Sequence, residues 1–418
     1  MRKINIKHFL EPAFFQPFWK PFCKKQPFEF EHNEKQKLNA FKLLLDSNNM
    51  VYEPQEDSFL LKEFVKRYAK GIVLDMGTGS GLQAREASHS KKTTKVFAVD
   101  IDKKAIAYAR KQADHKHHKK ITWIVGDLFS PFKQKHYFDT IIFNPPYLPQ
   151  DHKVRDIALE GGRRGHEVIE RFLNQVNNYL KPNGIILLVF SSLTPHVHEL
   201  LQKNLLEGKE LGKTHMFFED IYVYLIKRNS LLNQLEKKGI CDIKFFAKGK
   251  RGLVFTGKYK GKKVAIKIKR PESTAVGRIA NDAKMLKELN KHGIGPKYLF
   301  HTPKFLVYEF AEGKYLKDLL DSKDIKTICK KIFEQCFQLD LLHVDKQEMT
   351  RPYKHAIVKG KKITLIDFER ARKVEEAHNV TQFCTFVMNH IDKNKKKWIN
   401  LAKEYSSKRQ LNKIMAAL

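Results

Sequence analysis

Short apolar runs alternate with amphipathic stretches from about residue 50 to residue 228. Five of the runs predict strands: 71–77, 95–100, 121–127, 138–144 and 184–190. Helices are predicted at LQAREAS, KKAIAYARKQA and HEVIERFLNQVNNYL, the last of which has apolar residues at a helical period up to Leu180. Such alternation is typical of an α/β fold, with a mostly parallel sheet that has helices on both faces. The stretch 214–228 predicts a closing antiparallel hairpin.

The pattern changes after residue 229. Two strands joined by a Lys-Gly turn are predicted within 252–270, followed by a helix at 278–291 and by strands at 305–310 and 361–369. We therefore predict a second, smaller α+β domain. The predicted chain organisation is an N-terminal extension at 1–49, a first domain at 50–228, a linker at 229–247 and a second domain at 248–418.

The N-terminal extension is rich in aromatic residues and proline, as in FLEPAFFQPFWKPF. Repeated prolines exclude a helix. A free tail with so many aromatic side chains would associate nonspecifically in water. We expect it to pack on the folded body, with docking on a partner as the alternative.

Composition restricts the class of protein. Hydrophobic residues make up 42% of the chain, which is typical of a globular protein. The five cysteines form no Cys-x-x-Cys pair, and the amino terminus has no apolar signal region. These features predict a protein of the reducing cytoplasm without a membrane span.

The formal net charge is +33, with Lys and Arg at 79 positions against 46 for Asp and Glu. Such a surface would bind RNA, a ribosome or an acidic partner in a salt-dependent way. Many solvated lysines would explain the charge equally well. The histidines His115, His117 and His118 could recruit a metal, but no cysteine or acidic cluster accompanies them.

A glycine-rich turn follows the first predicted strand of the chain. DMGTGSG runs from Asp75 to Gly81, where a tight turn and free helix amides would let a ligand approach the backbone. Asp100 ends the second strand, a position suited to ribose hydroxyl groups. Asp127 ends the third, near the expected position of an adenine ring. Together these residues predict a nucleotide-type cofactor site.

FNPPYLPQ, at 143–150, follows the fourth predicted strand. Its prolines stop the strand and hold the neighbouring residues on a stiff loop. A planar NH2 group could donate one hydrogen bond to the Asn144 side-chain oxygen and one to the Pro145 carbonyl, with Tyr147 stacked on the plane. Pro146 completes this motif. The arrangement would aim a nitrogen lone pair at a methyl donor, so that catalysis follows mainly from positioning.

These motifs resemble those of the HemK-like S-adenosylmethionine-dependent methyltransferases. The resemblance rests on VYEPQEDSFLL, DMGTGSG, AVDID, GDLF, FNPPYLP and ALEGGRRGHEVIERF, in the family's order. It implies a Rossmann-like class I methyltransferase fold. The cofactor contacts that it implies are Ser58, Asp75, Gly77, Gly79, Gly81, Asp100, Asp127, Leu128 and Asn144. The substrate amide would be held by Asn144, Pro145, Pro146 and Tyr147.

Two of these stretches, VYEPQEDSFLL and EGGRRGHEVI, resemble the archaeal and eukaryotic branch that methylates glutamine in release factors. The exocyclic amino group of adenine in DNA or RNA, or another protein, remains an alternative acceptor, because the motif itself does not separate amide from adenine. A DNA enzyme would also have to flip its base and usually carries a recognition module, for which 50–228 shows no obvious segment. The eukaryotic relatives imply a small zinc-binding activator subunit as a partner.

The second domain carries phosphate-binding motifs. Lys267 lies in VAIK, where a kinase lysine meets the α- and β-phosphates. Asp282 lies beside the apolar stripe of the next helix and Glu288 points away from it, so Asp282 is the predicted acidic partner of Lys267. In LIDFER, Asp367 is the predicted Mg²⁺ ligand, and Glu369 replaces the usual glycine. Asp345 is the candidate catalytic acid.

Residues 245–390 resemble small archaeal predicted Ser/Thr protein kinases that are distantly related to the RIO group. The resemblance rests on KQEMTRPYKH, IDFER and NVTQF. It implies a kinase-like fold that binds ATP and Mg²⁺. Thr350 stands where a kinase has asparagine, and His355 precedes the next strand. Both an active kinase and a pseudokinase used for binding therefore remain open.

Overall fold

The computed structural model describes residues 53–113, 119–147, 162–216, 219–249, 252–269 and 278–418. All of these residues lie in one compact unit, Tyr52–Leu418. The predicted N-terminal extension and the three histidines at 115, 117 and 118 lie outside the described residues. Among the described residues, no helix is long and apolar enough to cross a membrane.

A seven-stranded sheet forms the first half of the described chain. Its strands are β1 Gly71–Met76, β2 Thr93–Asp100, β3 Ile121–Val125, β4 Phe138–Phe143, β5 Leu180–Ser191, β6 Leu206–Met216 and β7 Glu219–Arg228. They lie in the order β3-β2-β1-β4-β5-β7-β6, and only the pairs that involve β7 are antiparallel. The prediction of a mixed, mostly parallel sheet that ends in a hairpin is confirmed. The strand order reverses between β1 and β4, where open α/β sheets bind their ligands.

Helices cover both faces of this sheet. They are α1 Glu56–Tyr68, α2 Leu82–His89, α3 Lys103–Gln112, α4 Glu167–Val176 and α5 Val197–Lys203. Two apolar clusters fill the space between helices and sheet, one on each face. The helix expected to continue to Leu180 ends at Val176 instead, because Leu180 already pairs with Phe138 at the start of β5.

A five-stranded antiparallel sheet follows, in the order β11-β12-β10-β9-β8. Its strands are β8 Ile240–Lys248, β9 Gly252–Tyr259, β10 Lys262–Lys269, β11 Tyr298–His301 and β12 Phe305–Glu309. Five short strands come after it: β13 Lys314–Tyr315, β14 Val344–Asp345, β15 Ala356–Lys359, β16 Lys362–Leu365 and β17 Arg372–Lys373. The helices of this half are α7 Arg278–Leu289, α8 Ile325–Leu341, α9 Asn379–His390, α10 Lys395–Lys408 and α11 Asn412–Ala417, with 3₁₀ turns at Asn290–His292 and Leu316–Leu319.

Residues 229–247, which were predicted to form a linker, are structured. They contain α6 Ser230–Lys237 and most of β8. Leu232 and Leu235 of α6 are buried in the same apolar cluster as Phe255 of β9. The segment is structured because it is amphipathic and buries its apolar residues against the second sheet.

Candidate functional site

Two loops meet at the carboxyl edge of the first sheet. β1 and β4 are parallel neighbours, and Met76 is in register with Phe143. The loop at 77–81 and the Asn-Pro-Pro-Tyr loop therefore begin side by side. A Cβ atom on Gly77 would lie 3.5 Å from the Phe143 ring. The structure thus brings together the two motifs that the sequence analysis singled out.

The glycine loop is shaped by three left-handed residues. The φ angles of Gly77, Gly79 and Gly81 are 61°, 52° and 78°, which side chains rarely adopt. A Cβ on Gly81 would lie 2.9 Å from side-chain atoms of both Ala109 and Trp123, whereas a Cβ on Gly79 would meet nothing within 4 Å. Gly81 is therefore required for packing, and Gly79 leaves open space above the backbone for a ligand.

Asp75 lies beneath this loop rather than in the cleft. Its side chain accepts a hydrogen bond from the Thr78 hydroxyl at 2.6 Å, and the residue is only 2% exposed. Burial raises the pKa of Asp75 to about 7, although the Thr78 hydrogen bond opposes this shift. Since Thr78 belongs to the loop, Asp75 holds the loop in place from inside the protein.

Asp100 faces the same loop from the end of β2. One of its carboxylate oxygens accepts from the Gly79 amide at 2.8 Å, and the other accepts from the Asp102 amide at 2.9 Å. Burial raises the pKa of Asp100, and these backbone hydrogen bonds partly offset the shift. Each carboxylate oxygen has a second lone pair, so Asp100 can still accept hydroxyl donors from a ligand.

The two predicted contacts after β3 differ from each other. Asp127 forms an ion pair with Arg171 of α4, and both side chains are about half exposed. The Leu128 side chain is buried in an apolar cluster, and its backbone has a φ of 47°. Asp127 therefore lies at an open edge, whereas the Leu128 side chain belongs to the core.

Asn144 is held in one orientation by α1. Its side-chain nitrogen donates to the Asp57 carboxylate at 3.0 Å and to the Ser58 hydroxyl at 3.2 Å. Because a carboxylate only accepts, the nitrogen must face α1 and the oxygen must face away. The Asn144 side-chain oxygen is buried and has no hydrogen-bond partner among the described residues. A buried acceptor without a donor is costly unless a ligand supplies one.

The rest of this motif surrounds Asn144. The Tyr147 hydroxyl donates to the Asp57 carboxylate at 3.3 Å, and the Tyr147 ring packs against both apolar clusters. Pro145 is buried and Pro146 is partly exposed. The Asp57 carboxylate thus accepts hydrogen bonds from both polar side chains of the motif, Asn144 and Tyr147.

Asp57 and Gln83 contact the candidate site residues and were missed by the sequence analysis. Asp57 is 3% exposed and lies on the buried stripe of α1 with Leu61 and Val65. Gln83 donates from its side chain to the Ser58 carbonyl at 2.7 Å. A signal was available in the sequence, because Asp57 is spaced by four and eight residues from Leu61 and Val65 and so lies on the same helix face. A carboxylate on a buried face needs hydrogen-bond partners.

A second polar cluster lies beside β10. The Lys267 ammonium is 2.7 Å from Asp282, 2.5 Å from Asp367 and 3.1 Å from Glu369. Burial disfavours the charged form of Lys267, but the three carboxylates outweigh it and raise its pKa well above the usual value. The structure therefore places Lys267 next to both predicted acids, and next to Glu369 as well.

Of the two acidic residues of α7 compared in the sequence analysis, Asp282 is the one that reaches Lys267. Asp282 is buried and also accepts from the Phe368 amide at 3.0 Å, so it joins Lys267 to the Asp-Phe-Glu segment. Glu288 lies elsewhere and contacts Lys373 at 2.6 Å.

Asp345, the candidate catalytic acid, accepts hydrogen bonds from two neighbouring residues. It accepts from the Gln347 amide at 3.0 Å and from the Gln382 side chain at 2.9 Å. The sequence analysis missed Lys346, which is fully buried and donates to the Asp367 carbonyl at 2.8 Å. Lys346 has no separate sequence signal, because Lys is common in this chain.

A known family model matches part of this chain. Residues 55–218 match the family model described as "Methyltransferase small domain". A putative protein N5-glutamine methyltransferase of Methanocaldococcus jannaschii is 38% identical over 149 residues, which are 34% of this chain and 74% of that protein.

Two further similarities are more limited. A release factor glutamine methyltransferase of Koribacter versatilis is 34% identical over 34% of this chain, which spans 54% of that protein. The solved structure of the E. cuniculi Mtq2–Trm112 complex, described as responsible for methylation of the eRF1 termination factor, is 25% identical, with a TM-score of 0.35. It covers 43% of this chain and 99% of the solved chain.

Proposed function

This chain belongs to the HemK-like methyltransferases, and we propose that residues 50–228 methylate the side-chain nitrogen of a glutamine in a translation release factor. The names of the relatives from M. jannaschii and K. versatilis support glutamine as the acceptor. The observation that carries the proposal is the buried, unpartnered side-chain oxygen of Asn144. It offers an acceptor to a planar NH2 group at the edge of the glycine loop.

The residues around Asn144 explain how the acceptor would be positioned. Asp57 and Ser58 occupy the Asn144 nitrogen, so only its oxygen is left to accept an N–H of the substrate. The Pro145 carbonyl would accept the second N–H, and Tyr147 would stack on the amide plane. With both hydrogens held, the nitrogen lone pair stays oriented, and positioning lowers the barrier without a strong base.

The cofactor side of the cleft fits S-adenosylmethionine. When bound, this cofactor supplies an electrophilic methyl group on its sulfonium centre. Asp100 would accept hydrogen bonds from the ribose hydroxyls, and the open backbone at Gly79 would let the ligand approach. Asp75 would act indirectly, because it holds Thr78 within the loop.

The experiment compares three acceptors in parallel with labelled S-adenosylmethionine. They are a release factor, the same factor with its GGQ glutamine replaced, and DNA. We expect label only on the first, and label on DNA but not on the release factor would establish the adenine alternative instead.

A matched pair of variants tests the role of Asn144. Asn144→Ala should abolish methyl transfer and leave S-adenosylmethionine binding largely unchanged, because Asn144 would hold the acceptor. Asn174→Ala removes an exposed asparagine of α4 and should change neither. Normal methylation by Asn144→Ala would show that the amide clamp is wrong.

We also propose a small zinc-binding activator subunit, by resemblance to the eukaryotic relatives. Co-expression of this chain with such a subunit should raise its solubility and its methyl transfer. Equal activity with and without the subunit would remove it from the proposal.

For residues 248–418 we propose ATP binding with Mg²⁺, with phosphotransfer to a protein as its use and a binding-only pseudokinase as the alternative. The observation that favours nucleotide binding is the buried Lys267, held between Asp282 and Asp367. Mg-ATP should protect this half from proteolysis, and Lys267→Ala should remove the protection. Protection without phosphate transfer to any tested protein would favour the pseudokinase.

A further inference from the structure

Three side chains, one of which is Asp367, converge next to the Lys267 cluster. Among the described residues, Glu348, His355 and Asp367 are the one set of three metal-ligating groups whose ligand atoms all lie within 4.8 Å of one another. His355 Nδ1 is 3.2 Å from Glu348 Oε2 and 3.9 Å from Asp367 Oδ2. Around a tetrahedral ion with bonds of about 2.1 Å, neighbouring ligand atoms lie about 3.4 Å apart.

Two of the converging atoms are close together but do not form a hydrogen bond of good geometry. Glu348 Oε2 and His355 Nδ1 are both buried and have no hydrogen-bond partner among the described residues. Lys346 Nζ lies 3.7 Å from Glu348 Oε2, which is beyond hydrogen-bond distance. His355 Nδ1 and Glu348 Oε2 lie 3.2 Å apart and, together with Asp367 Oδ2, offer three ligand atoms to one cation.

The outer oxygens of the two carboxylates already have positive neighbours. Asp367 Oδ1 contacts Lys267 at 2.5 Å, and Glu348 Oε1 lies 3.8 Å from Arg370. Lys267 therefore orients Asp367 through one oxygen, and both carboxylates present their other oxygen toward His355. Such outer contacts orient the ligands of metal sites.

The charge of the surroundings suits a cation. Four carboxylates, namely Glu348 and the three around Lys267, face three cationic side chains, which are Lys267, Lys346 and Arg370. Among these seven side chains, the carboxylates exceed the cations by one. Imidazole nitrogen suits zinc and other first-row transition metals, whereas Mg²⁺ prefers oxygen ligands and water.

We propose that Glu348, His355 and Asp367 form a binding site for a first-row transition-metal dication such as Mn²⁺ or Zn²⁺. Asp367 is shared with the Mg²⁺ role proposed above, but His355 adds an imidazole nitrogen, a ligand that suits first-row transition metals better than Mg²⁺. The site is defined by protein side chains, so it binds the metal without ATP. Its test is therefore independent of nucleotide binding and of methyl transfer.

The experiment uses the full-length protein, freed of metals with a chelator and titrated with Mn²⁺, Zn²⁺ or Mg²⁺ in the absence of nucleotide. Calorimetry should show one tight Mn²⁺ site per chain, with an affinity at least roughly tenfold above that for Mg²⁺. Electron spin echo modulation of bound Mn²⁺ should show a directly coordinated imidazole nitrogen. His355→Gln should remove that nitrogen signal and weaken Mn²⁺ binding by roughly 10- to 100-fold.

Two further variants sharpen the result. Glu348→Gln keeps the shape of the side chain and should weaken Mn²⁺ binding by a similar factor. His215→Gln removes an exposed histidine that lies 2.9 Å from Asp220, a single His–carboxylate pair, and should leave Mn²⁺ binding unchanged.

Two results would overturn the proposal. One is Mn²⁺ binding in the wild-type protein without an imidazole signal, and the other is an unchanged Mn²⁺ affinity in His355→Gln. If His355→Gln does not fold, the imidazole signal of the wild-type protein still decides the question.

Discussion

Asp57→Asn is the perturbation that most directly tests how the Asn144 amide is positioned. One Asp57 oxygen accepts from both Asn144 and Tyr147, and the other accepts from the Ser58 amide. An asparagine has one acceptor oxygen and one donor nitrogen. Whichever way it turns, it places an NH2 group against a donor, so at least one of these hydrogen bonds is lost. When the lost bond is the one from Asn144, only the Ser58 hydroxyl still accepts from that side chain.

The size of the effect follows from the bonds involved. A hydrogen bond to a charged group contributes about 1.5–3 kcal/mol. If the whole loss appears in the barrier for methyl transfer, kcat falls roughly 10- to 150-fold, since each factor of ten corresponds to about 1.4 kcal/mol. Binding of S-adenosylmethionine should change little, because Asp57 supports Asn144 and Tyr147 on the proposed acceptor side of the cleft.

The assay measures kcat with the release factor and, separately, the Kd of S-adenosylmethionine by calorimetry. Glu56→Gln is the matched control, because Glu56 is the preceding, exposed acidic residue of α1. It should keep both values. An Asp57→Asn variant with full kcat would refute the reasoning, and an equal loss of cofactor affinity would show that Asp57 acts on the cofactor side of the cleft.

Three other positions give further predictions. Burial raises the pKa of Asp75 from 3.8 to about 7, so the folded chain binds more protons than the unfolded chain between these values and stability falls as pH rises through them. In urea unfolding, Asp75→Asn should reduce this fall by up to about 4 kcal/mol, and an unchanged pH profile would contradict it. Gly81→Ala should lower Tm more than Gly79→Ala in calorimetry, because only at Gly81 would the new carbon meet side chains at 2.9 Å; equal losses would argue against the packing role. Lys267→Met should lower the free energy of unfolding by about 3–5 kcal/mol, because it strips buried carboxylates of their counter-charge. Lys262→Met, exposed on the same strand, should cost less than about 1 kcal/mol, and similar losses for both would refute the difference.

Much of the fold could be predicted because local patterns and sheet pairing agree. The strands β1 to β5 and the closing hairpin follow from apolar runs bounded by turn residues. The end of α4 and the structure of 229–247 could not be predicted in this way. Leu180 continues a helical period, but its pairing with Phe138 makes it a strand residue, and this pairing is a long-range contact.

The candidate site shows the same division. Asp100 and Asn144 were predicted because each lies at the carboxyl end of a strand, within a recognisable motif. Asp57 was missed because its importance depends on Asn144, which lies 87 positions further along the chain. Glu348 and His355 likewise meet Asp367 only through folding, since no spacing in the sequence relates their side-chain atoms.

The sequence by itself determined the order of strands and helices, the chemistry of the two loops at the sheet edge and the family of the first half. These properties depend on residue type and local spacing, which the chain carries in every conformation. Only the tertiary structure decided which side chain holds Asn144, which acid reaches Lys267 and which atoms converge on His355. Those outcomes depend on distances across the fold, where burial makes an unpaired polar atom costly and so determines its partners.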